Sequence, residues 1–198
     1  MRLILASASP RRAELLTAAG IDFDVAPAHV DETPREGEDP AEYVLRLARD
    51  KAAVASADQP AGRPLLAADT VVVAGGRLLG KPSGEPDARS MLRILSGTVH
   101  DVHTAVVLLL SGREFAEVVT TRVRFRALTE SEIDWYVATG EPQGKAGAYA
   151  IQGRGSRFID RIEGSWSNVV GLPVATVYAL LKQAGVISSD KPPKARDL

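Results

Sequence analysis

Cysteine is absent from all 198 residues, which excludes disulfides, thiolate metal sites and cysteine nucleophiles together and fits a reducing cytoplasm. Aromatic residues make up only 5%, and neither sign of charge dominates, with 24 Lys and Arg against 25 Asp and Glu. Without a basic field or many stacking rings, direct nucleic-acid binding and attraction to an anionic membrane are poor readings, so any anion site has to be local. No apolar run approaches the ~20 residues of a membrane span, and the stretch 102–110 is interrupted and far too short. Residues 1–5 meet a polar cluster at once and read as a core strand, not a signal peptide. What is present is an aliphatic interior: 45% hydrophobic and 25% charged residues, the balance of a soluble α/β protein. The length suits one domain or two small lobes sharing a core, with 188–198 expected as a disordered tail.

The first unit is strand, tight turn, helix. The apolar run 2–6 breaks at Ser7-Ala8-Ser9-Pro10, and a helical pattern over 11–19 stops at Gly20. Ser9 suits an N-cap and Pro10 the first helical position, where free N–H groups attract anions. A half-buried strand over 21–25 and an acidic loop over 31–39 follow. Asp39-Pro40-Ala41-Glu42 then reads as a capping box opening a helix whose buried stripe is Val44, Leu47, Ala48, Ala52 and Ala55. Lys51 falls on that stripe, four residues after Leu47. An apolar strand over 65–74 is expected to be interrupted at Asp69-Thr70, and Gly75-Gly76 turns the chain toward Gly80-Lys81-Pro82. Beyond it come a helix over 86–95, a hairpin of long strands over 99–110 and 114–128, and a capped helix from Thr129 to Gly140. The glycine-rich stretch 144–171 reads as loop with one short strand near 158–162, and a last helix covers 173–184.

Polar clusters fall at strand ends or element starts, the positions that border ligand crevices in α/β proteins: Ser7 to Arg12, Lys51, Asp69-Thr70 and Lys81. Arginine forks, lysine point charges and a helix N-terminus are the groups that hold polyphosphate. Each has a plain structural alternative. Arg11 and Arg12 could be a solvated first turn, although positive charge there opposes the helix dipole, and Lys51 could simply snorkel from an apolar face. Asp69 is the most informative residue, because a carboxylate inside Ala67-Ala68-Asp69-Thr70-Val71-Val72 cannot be buried without a charged partner or a metal. Glu32 offers a second carboxylate, although its position alone reads as a loop acid. Two motifs mislead. Gly75-x4-Gly80-Lys81 mimics a phosphate loop, but Pro82 stands where Ser or Thr must ligate magnesium. His100 and His103 on a strand lack a third ligand nearby in sequence and do not read as a zinc site.

Taken in order, Ser7-Ala8-Ser9-Pro10-Arg11-Arg12, Ala68-Asp69-Thr70, Gly80-Lys81-Pro82, Leu95-Ser96-Gly97, Gly140-Glu141-Pro142, Lys145 through Gly153 and Val169-Val170-Gly171-Leu172-Pro173 resemble the Maf family over nearly the whole chain. The resemblance implies an elongated mixed β-sheet flanked by helices, of the inosine triphosphatase-like kind, with residues 1–187 as one domain of two lobes around a central cleft, and a cytoplasmic homodimer. It implies hydrolysis of a nucleoside triphosphate between its α and β phosphates with a divalent metal, magnesium or manganese, and cobalt also open. Asp69 matches the family's catalytic acid and Glu32 an acid that helps hold the metal with it. Ser7, Arg11, Arg12, Lys51 and Lys81 match polyphosphate-binding positions. Arg11, Thr70 and Gln152 match the branch acting on dTTP and UTP, with modified pyrimidine triphosphates as further candidates, whereas the 7-methyl-GTP branch carries Gln after the aspartate and Glu in place of Gln152. Gln152 offers both a donor and an acceptor, suited to the O4 and N3–H edge of uracil or thymine. Ala150 stands where glycine is common, and Trp166 where tyrosine is. A different class of reading is a non-catalytic nucleotide-sensing regulator of cell division, since the family is linked with septum formation. A sensor gains little from a carboxylate beside phosphates, which makes Asp69 the discriminating residue.

Overall fold

The computed structural model describes residues 2–60 and 62–187; the tail expected at 188–198 lies outside them. Among the described residues seven strands form one mixed sheet: β1 (Leu3–Leu5), β2 (Phe23–Val25), β3 (Leu65–Ala74), β4 (Arg77–Leu79), β5 (Val99–Leu110), β6 (Arg113–Phe125) and β7 (Ile159–Glu163). The order is β2-β1-β3-β5-β6-β7, with β4 paired to β3. Six α-helices among the described residues accompany it: α1 (Pro10–Ala18), α2 (Pro40–Ala57), α3 (Glu85–Leu95), α4 (Glu130–Ala138), α5 (Trp166–Val170) and α6 (Val174–Gln183).

The sequence pattern explains the pairing. β1 lies parallel to both β2 and β3, with Ile4 facing Asp24 on one side and Leu65 on the other. Such a strand has covered faces and so carries an unbroken apolar run; Leu3, Ile4 and Leu5 are all buried. β6 sits further along the sheet with one solvated face, so buried Thr121, Val123 and Phe125 alternate with exposed Thr120, Arg122 and Arg124.

The chain divides into two compact units. One is built on residues up to Asp69, Thr104–Val119 and from Gly171 onward; the other on Thr70–His103 and Thr120–Val170. In the first, Leu3, Leu5, Leu16, Leu66, Val106, Leu108 and Leu180 form a mainly aliphatic core that also takes in Phe115. In the second, Phe125 meets Tyr149 edge-on at 4.9 Å between centroids, and Tyr136 meets Phe158 the same way at 5.1 Å. Edge-to-face ring pairs of this kind add to the packing of the second unit's core.

Several local expectations need correction. β3 runs unbroken through Asp69-Thr70, because the buried charge of Asp69 has a partner and the strand need not bulge toward water. β2 covers only Phe23–Val25, not the whole of 21–25. Ser9 is the N-cap of α1 but makes no side-chain capping bond. Asp39 caps α2 by accepting from the Ala41 and Glu42 amides, whereas the reciprocal pair is complete at Thr129 and Glu132. Short 3₁₀ turns at Ala146–Ala148 and Arg154–Phe158, together with α5, organise the stretch read as loop. The false phosphate loop is a hairpin: Gly75 and Gly76, at φ 54° and 73°, make the two-residue turn between β3 and β4.

Candidate active site

The site in the first unit grows from the end of β1. The chain turns at Ser7, whose Oγ accepts from the Ser9 amide at 3.2 Å and from Arg12 Nη1 at 3.0 Å. Arg12 is buried, and its Nε donates to the Gly171 carbonyl at 2.8 Å, so the guanidinium is held from two sides. Burial lowers its pKa from the ordinary value, Asp69 and Glu32 act the other way, and Arg11 adds to the lowering. Arginine remains charged through such a change, so Arg12 is a fixed cation and not a solvated one. Arg11 is half-buried beside it, its pKa also lowered by burial against the pull of Glu14.

Asp69 and Lys51 are each 7% exposed. Lys51 Nζ lies 2.5 Å from Asp69 Oδ1 and 2.7 Å from Glu32 Oε1. One ammonium therefore joins a carboxylate in the centre of the sheet to another on an exposed loop. Spacing accounts for the reach of α2: Tyr43, Leu47 and Lys51 recur every four residues and share a face.

The same helix builds the Glu32 loop. Tyr43 donates its hydroxyl to the Glu32 carbonyl at 2.8 Å, and Arg46 donates to the Thr33 carbonyl at 3.3 Å and to both Glu38 oxygens at 2.6 and 2.7 Å. Asp31 Oδ1 accepts from the Thr33 amide and hydroxyl, turning the chain tightly beside Glu32. The Tyr43 phenol is pushed up to about 12, first by burial and then by the charges of Asp69 and Glu32, so it stays a donor. Tyr43 was not singled out from sequence; its place one turn before Leu47 on the Lys51 stripe is the signal that could have found it.

Glu32 and Asp69 are the carboxylates that would hold a hard divalent ion, since magnesium takes one or two carboxylates with substrate phosphates and water completing the shell; the point on which both converge is the Lys51 ammonium. Among the described residues no group of three or more His, Cys, Asp or Glu could hold a metal, so an all-protein cage is not what these residues build. His100 bonds Tyr149 and His103 bonds Thr120, each at 2.9 Å, as ordinary strand histidines do.

The remaining residues singled out belong to the second unit. Thr70 is half-buried and follows Asp69 directly in β3, its side chain on the opposite strand face by alternation. Lys81 is exposed just after β4, where the neighbouring Gly80 carbonyl accepts from the Gly147 amide at 3.1 Å. Gly147 has to be glycine there: its φ is 68°, and a Cβ would lie 3.0 Å from Val72. Gln152 is exposed on a turn between the two 3₁₀ segments.

The α/β frame thus carries a buried carboxylate on β3, a buried lysine on α2 paired with it and with a loop carboxylate, and a buried arginine on α1, a set of charges suited to an anionic ligand. The family model described as Maf-like protein matches residues 2–184, and the chain belongs to the Maf family. A protein of Anaeromyxobacter dehalogenans named dTTP/UTP pyrophosphatase is 54% identical over 188 residues, covering 93% of this chain and 94% of its own. A protein of the same name from Myxococcus xanthus is 54% identical over 185 residues, 93% of each chain, and one from Koribacter versatilis is 51% identical over 187. A solved structure from Mycobacterium abscessus, titled nucleoside-triphosphatase / dITP/XTP pyrophosphatase, aligns at 13% identity and a TM-score of 0.41 over 96% of this chain and 100% of that one, and adds nothing to the family assignment.

Proposed function

We propose that this chain is a nucleoside triphosphate pyrophosphatase that hydrolyses dTTP and UTP to the monophosphate and pyrophosphate. The names carried by relatives of about half identity support the substrate and the reaction. The observation that carries the chemistry is the Asp69–Lys51–Glu32 contact, a buried carboxylate held ready inside an apolar strand.

In this reading Asp69 is the proton acceptor. Water attacks the α-phosphorus in line, its proton passes to Asp69, the new P–O bond makes the monophosphate, and the bond to the bridging oxygen breaks with pyrophosphate leaving. Arg12 is already fixed by Ser7 and Gly171, so it offers its charge without reorganising, which is where electrostatic stabilisation is strongest. Ser7, Arg11, Lys51 and Lys81 are proposed to bind phosphate oxygens, and Arg11, Thr70 and Gln152 to choose the base. Glu32 and Asp69 would hold a magnesium or manganese ion, which supplies Lewis-acid charge neutralisation at the phosphates. A cytoplasmic homodimer belongs to the same proposal and is supported by the family resemblance; among the described residues no helix is long and apolar enough to cross a membrane.

The test is a panel of canonical and modified triphosphates with products resolved by chromatography. UTP and dTTP giving UMP and dTMP with pyrophosphate is the expected result. Diphosphate with orthophosphate would contradict the reaction, and no turnover of any triphosphate would favour a sensor.

A further inference from the structure

The segment that carries Gln152 has little regular structure of its own, only a turn between the 3₁₀ segments Ala146–Ala148 and Arg154–Phe158. Its position is set by one carboxylate. Glu141 Oε1 accepts from the Tyr136 hydroxyl at 2.8 Å and from the Gly155 amide at 3.0 Å, and Oε2 accepts from the Arg154 amide at 3.0 Å. The Tyr136 oxygen accepts in turn from the Ala150 amide at 3.0 Å. The backbone is therefore anchored on both sides of Gln152, at 150 and at 154–155, to the pair Tyr136–Glu141. From below, Lys145 Nζ donates to the Glu141 carbonyl at 2.6 Å, tying the preceding turn to the same residue.

Two glycines make the close approach feasible. A Cβ at Gly153 would fall 2.6 Å from each Glu141 carboxylate oxygen, and one at Gly155 would fall 2.7 Å from the Tyr136 oxygen. Only an acceptor with no hydrogens of its own can serve these donors together, which an ionised carboxylate does and an amide does not. The carboxyl behaves accordingly: burial pushes it up, but the two backbone N–H groups, the Tyr136 hydroxyl and Lys145 outweigh burial and leave it below the usual range.

We infer that Glu141 is a positioning residue for base selection, fixing the backbone on either side of Gln152 so that its carboxamide is presented in one orientation, with Tyr136 as the relay to Ala150. The inference rests on the reading above in which Gln152 meets the pyrimidine. A Gln at 141 would turn an NH₂ toward a backbone N–H, leave that donor unpaired and release the turn.

The test is steady-state kinetics of the full chain on UTP, dTTP and ATP for wild type, Glu141→Gln, Gln152→Ala and the double variant. Glu141→Gln is expected to raise KM for UTP and dTTP about tenfold with kcat within about twofold, and to lower the preference over ATP by the same factor. Gln152→Ala added to it is expected to cost less than about twofold more, because the side chain is already misplaced. Tyr136→Phe, which strands the Ala150 amide while keeping the ring, is expected to give the same signature and serves if Glu141→Gln folds poorly. A uniform loss on all three substrates, or multiplicative effects in the double variant, would overturn the inference and make Glu141 structural only. A wild type with no preference for pyrimidine triphosphates would overturn both this inference and the functional reading, whereas a preference that survives Glu141→Gln overturns this inference alone.

Discussion

Lys51 Nζ and Asp69 Oδ1 are 2.5 Å apart, and both side chains are buried. The ion pair is why β3 can carry a carboxylate among aliphatic neighbours without bulging, and it holds a cation and a carboxylate side by side. Breaking such a pair from one side leaves the other charge uncompensated, which costs about 3–5 kcal/mol.

Lys51→Met keeps the length of the stem and removes the charge. It is expected to lower the unfolding free energy by about 3 kcal/mol. Adding Asp69→Asn should restore part of that loss, since the double variant buries no lone charge. Urea unfolding of the two single variants and the double variant measures the coupling; strictly additive effects would mean the pair is not energetically linked.

Tyr43→Phe removes only the donor to the Glu32 carbonyl. Water can replace it at that exposed loop, so stability should fall by about 1 kcal/mol or less. The functional effect should be larger in metal requirement than in turnover: the magnesium concentration for half-maximal hydrolysis is expected to rise roughly threefold, with kcat nearly unchanged. A magnesium titration checks this. An unchanged requirement would mean that Arg46 and Glu38 alone hold the loop.

His100 gives the fold a pH dependence of definite sign. Burial lowers its pKa from 6.5 to about 4. Above pH 6.5 the ring is neutral folded and unfolded alike. As pH falls below 6.5 the unfolded chain binds the proton first, so stability drops until the folded ring also titrates near 4, a loss of about 3 kcal/mol in all. Glu38 and Glu132, held down to about 2 chiefly by Arg46 and Arg126, add their own losses only as pH falls through their ordinary 4.5. Melting temperatures between pH 7 and 5 should therefore decline in wild type and decline less in His100→Gln; parallel profiles would remove His100 from the explanation.

Asp69 was legible because an acid in an apolar run has to be compensated, and Lys51 because it fell on a buried helical stripe. The bond between them was not legible, since they lie on α2 and β3 and only tertiary packing brings them together. For the same reason Glu32 reads from its position alone as a loop acid until Lys51 reaches it, and the acceptor that fixes Arg12, the Gly171 carbonyl far along the chain, is not visible from the first helix. The strand interruption expected at Asp69-Thr70 follows from the break in the apolar run, which by itself does not show that the backbone ladder continues through a paired charge. In the glycine-rich stretch periodicity carries no signal, because its conformation is set by hydrogen bonds to groups elsewhere in the chain, the Glu141 carboxylate and Tyr136 hydroxyl around Gln152 and Thr121 at Ser165. The main helices and strands, whose residues repeat at 3.6 or 2, were read almost to their ends.

Asp69→Asn carries the sharpest consequence, because the amide keeps the shape of the side chain and cannot take the proton. UTP binding by calorimetry and UMP formation should be measured on the same preparation. Binding within about threefold of wild type, with hydrolysis slowed roughly a hundredfold to ten-thousandfold, is the predicted result. Hydrolysis at the wild-type rate would contradict the assignment of Asp69 and, with it, the proposed mechanism.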